Sequence, residues 1–145
     1  MNHETLKELV AQGEGPTLEF KKSTGELRPA MESFCGMLNH SGTGKVLFGI
    51  TPKGEIRGQM VADKTLEDIA NATRQIEPEA DFATTKVPLE GGLCVLVVDA
   101  HKGKARGPFT FDKRPYLRVE NTTQKMSRTE FDQRLSDRFH AFLCR

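Results

Sequence analysis

Leu6, Leu9 and Val10 recur at helical spacing between about Glu4 and Gln12, and Gly13 followed by Gly15-Pro16 ends the run, which predicts a short first helix. Thr17 to Lys21 alternates polar and apolar positions, the period of a half-buried strand with Leu18 and Phe20 inward and Glu19 and Lys21 on the other side. The spacing then changes. Pro29 suits a first helical turn, and Met31, Phe34, Cys35 and Leu38 follow the i, i+3, i+4, i+7 pattern up to the stop at Asn39-His40-Ser41-Gly42. Lys45 to Ile50 reads as a buried strand, Pro52-Lys53-Gly54 as a turn, and Glu55 to Gly58 as the return strand of a hairpin. Thr65 is placed to cap a third helix, with Leu66, Ile69, Ala70 and Thr73 as its inner face, before Pro78 forbids continuation. Residues 82–89 alternate loosely, Glu90-Gly91-Gly92 turns the chain, and Leu93 to Val98 is apolar throughout, as in a central strand covered on both faces. A further strand lies near Pro115 to Val119. Ser127-Arg128-Thr129-Glu130 has capping-box form and opens a last helix with Phe131, Leu135, Phe139 and Phe142 in one stripe.

Strands mixed with three or four helices, with hairpins in both sheet-forming regions, predict an α+β fold: a mixed, mainly antiparallel sheet with flanking helices. With 145 residues the chain fits one domain, and neither a repeat nor a linker divides it. No stretch approaches the roughly 18 apolar residues of a membrane span, and the N-terminus lacks the form of a secretory signal, so no membrane partner and a cytoplasmic location are expected.

Charge sharpens this picture. The net formal charge is +1, yet residues 1–100 carry an excess of five acidic groups. Residues 101–128 carry eight basic groups (Lys102, Lys104, Arg106, Lys113, Arg114, Arg118, Lys125 and Arg128) against Asp112 and Glu120. Such asymmetry draws a polyanion to one face of a nearly neutral molecule. Phe109, Phe111 and Tyr116 are interleaved with these cations, so phosphate contacts and base-stacking surfaces can share one segment.

Other chemistries find little support. Gly42-Thr43-Gly44-Lys45 precedes a strand, whereas a phosphate loop follows one and opens a helix, so no nucleotide site is assigned. His3, His40, His101 and His140 are scattered singly, which disfavours structural zinc. Cys35, Cys94 and Cys144 sit among apolar neighbours and read as reduced core residues. Glu14 and Glu19, flanking the start of the first strand, are paired carboxylates that can hold a divalent metal if they converge; the plainer reading pairs Glu19 with Lys21 or Lys22.

Four segments taken together, Glu14-Gly-Pro-Thr-Leu-Glu19-Phe20-Lys21, Asn39-His-Ser-Gly-Thr-Gly44-Lys-Val-Leu-Phe-Gly49-Ile50, Gly54-Glu-Ile-Arg-Gly58 and Arg114-Pro-Tyr-Leu-Arg118-Val119, resemble the Schlafen Alba-like domain in order and spacing, over about residues 13–137. The resemblance implies a DNA-binding domain of the kind found at the front of bacterial transcriptional regulators that continue into a divergent AAA-type ATP-binding region. It divides the chain into an N-terminal helix (1–13), the Schlafen Alba-like domain (14–137) and the end of a C-terminal helix (138–145) truncated from a longer parent. Contacts to nucleic acid, DNA or RNA, are expected from Lys21, Lys22, Lys102, Lys104, Arg106, Lys113, Arg114 and Arg118, gathered into one continuous groove, with no cofactor.

The resemblance also carries two alternatives. Some Schlafen proteins cleave transfer or ribosomal RNA with two glutamates and an aspartate, and here Glu14 and Glu19 match the glutamates while Thr51-Pro52-Lys53 stands at the aspartate's place. A divalent metal is implied only under that reading, with Asp63 or Asp99 as substitutes if the fold brings one close. Schlafen proteins pair two such lobes, so a homodimer or assembly module is the other alternative.

Overall fold

The computed structural model describes residues 1–143, with only the backbone of Phe142; Cys144 and the Phe142 side chain lie outside the described residues. The first helix, α1 (His3–Ala11), is capped by Asn2, whose side chain accepts from the Thr5 amide at 2.8 Å. Strand β1 (Leu18–Lys21) leads through a single 3-10 turn (Thr24–Glu26) into α2 (Leu27–His40). Pro29 falls in the first turn of α2, where its missing N–H has no intrahelical partner to lose. Then come β2 (Thr43–Phe48), α3 (Asp63–Thr73), β3 (Ile76–Glu77), β4 (Asp81–Pro88), β5 (Cys94–His101), β6 (Thr110–Phe111), β7 (Tyr116–Val119), β8 (Thr122–Lys125) and α4 (Arg128–Leu143).

The main sheet has the order β1-β2-β5-β4. β1 and β2 are parallel, joined through α2, and the other pairings are antiparallel. Alternation along the central strands divides the interior in two. Val46, Phe48, Leu96, Val98 and Ala100 face α2, α3 and the strands β6 and β7, whereas Leu47, Val95 and Val97 face α1 together with Leu18 and Phe20. The unbroken apolar run of β5 thus reflects cover on both sides of the sheet. Two small ribbons, β3-β6 and β7-β8, complete the α2 side. The fold is α+β, with the mostly antiparallel mixed sheet and flanking helices that the periodicity predicts.

Close approaches explain several glycines. A Cβ on Gly36 of α2 would lie 3.0 Å from the backbone of Leu117 and Arg118, so β7 lies directly on the helix. Gly49 (φ +107) packs on Gly58, whose amide donates to the Gly49 carbonyl at 2.8 Å.

Local expectations fail where side-chain chemistry is decided by a neighbour. Glu55 to Gly58 forms no strand; one bridge, Ile50 to Ile56, replaces the expected hairpin because the Gly49–Gly58 contact takes over the pairing. Thr65 is not the cap of α3 but its third residue, and its hydroxyl accepts from the amide of Ala62 at the cap position. Ser127 accepts from the Glu130 amide as a capping box requires, but the Glu130 carboxylate turns to Arg134 instead of reaching back. The apolar stripe of α4 is half covered: Phe131 and Leu135 are partly buried, while Phe139 is exposed. Cys94 is only half-buried, unlike Cys35.

Candidate functional site

The carboxylates and the cations singled out in the sequence occupy very different surroundings. Arg118 and Tyr116 are the inward positions of β7, and the guanidinium of Arg118 is fully buried. It donates to Glu19 Oε1 at 2.7 Å, to Thr123 Oγ1 at 2.9 Å, to the Gly15 carbonyl from Nε and Nη2, and to the Leu18 carbonyl at 3.3 Å. Arg118 therefore satisfies carbonyls along the outer edge of β1. It is absent from the surface that a phosphate backbone can reach, which corrects the expectation for this residue. Glu14 serves the same edge, accepting from the Phe20 amide through Oε2 at 3.0 Å.

A divalent metal does not fit these carboxylates as they stand. Oε2 of Glu19 is buried without a hydrogen bond, but the Lys21 ammonium lies 3.5 Å from it, and the other oxygen is held by Arg118. Asp99 is paired with Lys45 across β2 and β5, and Asp63 opens α3 on the surface. Among the described residues, no group of three His, Cys, Asp or Glu is arranged to hold a metal ion.

Another residue of the quoted segments is structural as well. Asn39, buried at the end of α2, donates from Nδ2 to the carbonyls of Phe109 and Tyr116 at 2.9 and 2.8 Å and accepts from the Phe109 amide at 2.7 Å. These bonds hold the basic segment along α2. Cys35, one turn earlier, is buried against the Phe109 carbonyl, and desolvation pushes its thiol up to about 12.

The exposed cations fall into two groups. Lys102, Lys104 and Arg106 occupy the loop after β5, next to the C-terminal end of α2, where Gly42 accepts from the Lys102 amide at 2.8 Å. Lys102 lines a cleft of about 330 Å³ together with His40, Ser41, Arg134 and Asp137. Lys113 and Arg114 lie at the other end of α2, in the turn between β6 and β7, which is tied there by an ion pair of 2.9 Å between Arg28 and Asp112. The groups lie toward opposite ends of α2, whose fourteen residues make a helix about 20 Å long. Lys22 is exposed after β1, at the same end as Lys113, whereas Lys21 is half-buried beside Glu19. Among the described residues, Lys22, Lys102, Lys104, Arg106, Lys113 and Arg114 make no ion pair. The expected continuous groove is thus a strip with cations at its two ends and Arg118 withdrawn beneath it.

Sequence reasoning missed Arg28, whose guanidinium lies 5.2 Å over the Phe111 ring while pairing with Asp112. It also missed Arg134, which donates to the Asn39 carbonyl at 2.7 Å. Only the i,i+4 pairs with Glu32 and Glu130 are local; the contacts to Phe111, Asp112 and Asn39 join residues far apart in the sequence and leave no local signal. No described helix is long and apolar enough to cross a membrane. A family model described as Schlafen, AlbA_2 matches residues 14–127. No curated protein matches the chain.

Proposed function

From the membership of this chain in the Schlafen AlbA_2 family, a nucleic-acid-related family, we propose that it is a nucleic-acid-binding domain contacting phosphates through the strip along α2. The observation that carries this reading is the gathering, toward the two ends of α2, of exposed cations that make no ion pair among the described residues, Lys102, Lys104 and Arg106 at one end and Lys113, Arg114 and Lys22 at the other. Positive charge unspent on the protein's own carboxylates is available to a polyanion. The narrower role, DNA binding within a bacterial transcriptional regulator acting in the cytoplasm, belongs to the same proposal and is supported by the resemblance of the quoted segments.

Salt dependence tests it. Five contacts from Lys102, Lys104, Arg106, Lys113 and Arg114 give a slope of log affinity against log salt of about −4.5 for a duplex. Affinity therefore falls by a few hundredfold, roughly, between 50 and 200 mM salt. A flat titration, or no binding at the lowest salt, overturns the reading.

An assembly role has one observation in its favour: the outer edge of β4, eight residues long, is unpaired among the described residues. Light scattering tests a homodimer formed through it. The ribonuclease alternative draws no support from the immediate surroundings of Glu14 and Glu19, where one Glu14 oxygen accepts from the Phe20 amide and Glu19 lies between Arg118 and Lys21.

A further inference from the structure

The turn between β6 and β7 is closed by reciprocal bonds between Phe111 and Arg114, with Asp112 (φ +50) and Lys113 (φ +66) at its centre. Both central residues are left-handed, a geometry that usually recruits Asn-Gly and that a lysine adopts only under strain. The turn is anchored from two sides: the Asp112 amide donates to the Gln75 carbonyl at 3.1 Å, and its carboxylate receives Arg28 Nη2 at 2.9 Å. The Phe111 ring beneath Arg28 fixes the plane of that guanidinium. Glu32 adds a weaker contact to Arg28 at 4.0 Å, while its carboxylate accepts from the Tyr116 hydroxyl at 3.2 Å.

An aspartate amid three cations is an odd tenant in the most basic part of the chain. We propose that Arg28, Lys113 and Arg114 form a binding site for a phosphodiester, and that the Asp112 carboxylate holds the ligand's place until nucleic acid displaces it. A guanidinium fork accepts carboxylate and phosphate oxygens in the same geometry, so the exchange needs no rebuilding of the turn. The pair is half-exposed, so water and a ligand both reach it. The hydrogen bond from Arg28, followed by its charge, holds the Asp112 carboxyl below the usual range, and Arg114 and Lys113 add to that pull. The site thus favours an anion at that point, and Asp112 is the one supplied internally. This inference rests on the nucleic-acid reading and adds to it a site, a residue outside the quoted segments, and a built-in competitor.

A double-mutant cycle tests it by fluorescence anisotropy with a labelled oligonucleotide, single-stranded and duplex. Asp112→Asn keeps the turn, because asparagine tolerates the left-handed region, and frees Arg28. Affinity should rise severalfold, with the duplex salt slope steeper by about 0.9. Arg28→Met should cost little in the parent chain and cancel the gain in Asp112→Asn. Glu8→Gln, on the far side of the sheet, measures the general effect of losing one negative charge. A gain no larger than that of Glu8→Gln overturns the proposal, as does an Arg28→Met penalty equal in both backgrounds. If no variant binds any oligonucleotide, the nucleic-acid reading falls, and inorganic phosphate followed by the Lys113 and Arg114 amide resonances decides the site alone. Saturable shifts larger in Asp112→Asn than in the parent chain would sustain it as a site for phosphate, and their absence would overturn it.

Discussion

Two arginine–carboxylate pairs of nearly equal length sit on the same side of the main sheet, Arg118–Glu19 at 2.7 Å and Arg28–Asp112 at 2.9 Å. Their side chains are 0% and 8% exposed in the first pair and 55% and 49% in the second. Distance alone does not distinguish them; solvent does. The buried guanidinium makes five hydrogen bonds to four protein acceptors and has no route to exchange any of them. The exposed one can trade its carboxylate for another anion at small cost, since surface pairs contribute little to stability. Residues that look equivalent in a list of cations thus divide into one that builds the domain and one that is free to meet a ligand.

The comparison breaks most visibly at Arg118. Arg118→Met leaves Glu19 buried without its principal counter-charge and should cost about 3–5 kcal/mol in chemical denaturation, salt having little influence. A cost below that of an ordinary surface change would mean that the pair is solvated after all. Asn39→Ala should cost about 3 kcal/mol, for three buried hydrogen bonds at about 1 kcal/mol each, and should raise amide exchange across residues 109–116. Cys35 gives a pH test of the same interior. Burial raises its thiol from 9.0 to about 12, so its contribution is whole below pH 9 and declines as pH rises through that window. The slope should be about 1.4 kcal/mol per pH unit, and Cys35→Ala should flatten it. The smallest effect belongs to the exposed pair: Arg28→Met should leave the unfolding midpoint unchanged while altering phosphate affinity in the Asp112→Asn background.

Much of the scaffold was legible. The spacing of Met31, Phe34, Cys35 and Leu38 predicts α2, and the apolar run from Leu93 to Val98 correctly marks a strand covered on both faces. The two-residue strands β3 and β6 were not legible, because two residues carry no period and are paired only by tertiary contact. Arg118 shows a different kind of miss. The signal was present: alternation through Tyr116-Leu117-Arg118-Val119 puts Tyr116 and Arg118 on one side, and Tyr116 is buried. Counting charge overrode period. The candidate interface was legible as a charged segment but not as a strip with two ends, since that depends on how Asn39 and Arg28 fasten the segment along a helix far away in the sequence.

That fastening makes α2 a measuring rod. With its last turn clamped by Asn39 and its first turn beside Asp112, the helix itself, about 20 Å of rigid backbone, spaces the two ends of the strip. At about 3.4 Å per base pair, 20 Å corresponds to roughly six base pairs. Shorter oligomers should reach one end only, so affinity plotted against oligomer length should climb in a step near that size instead of smoothly.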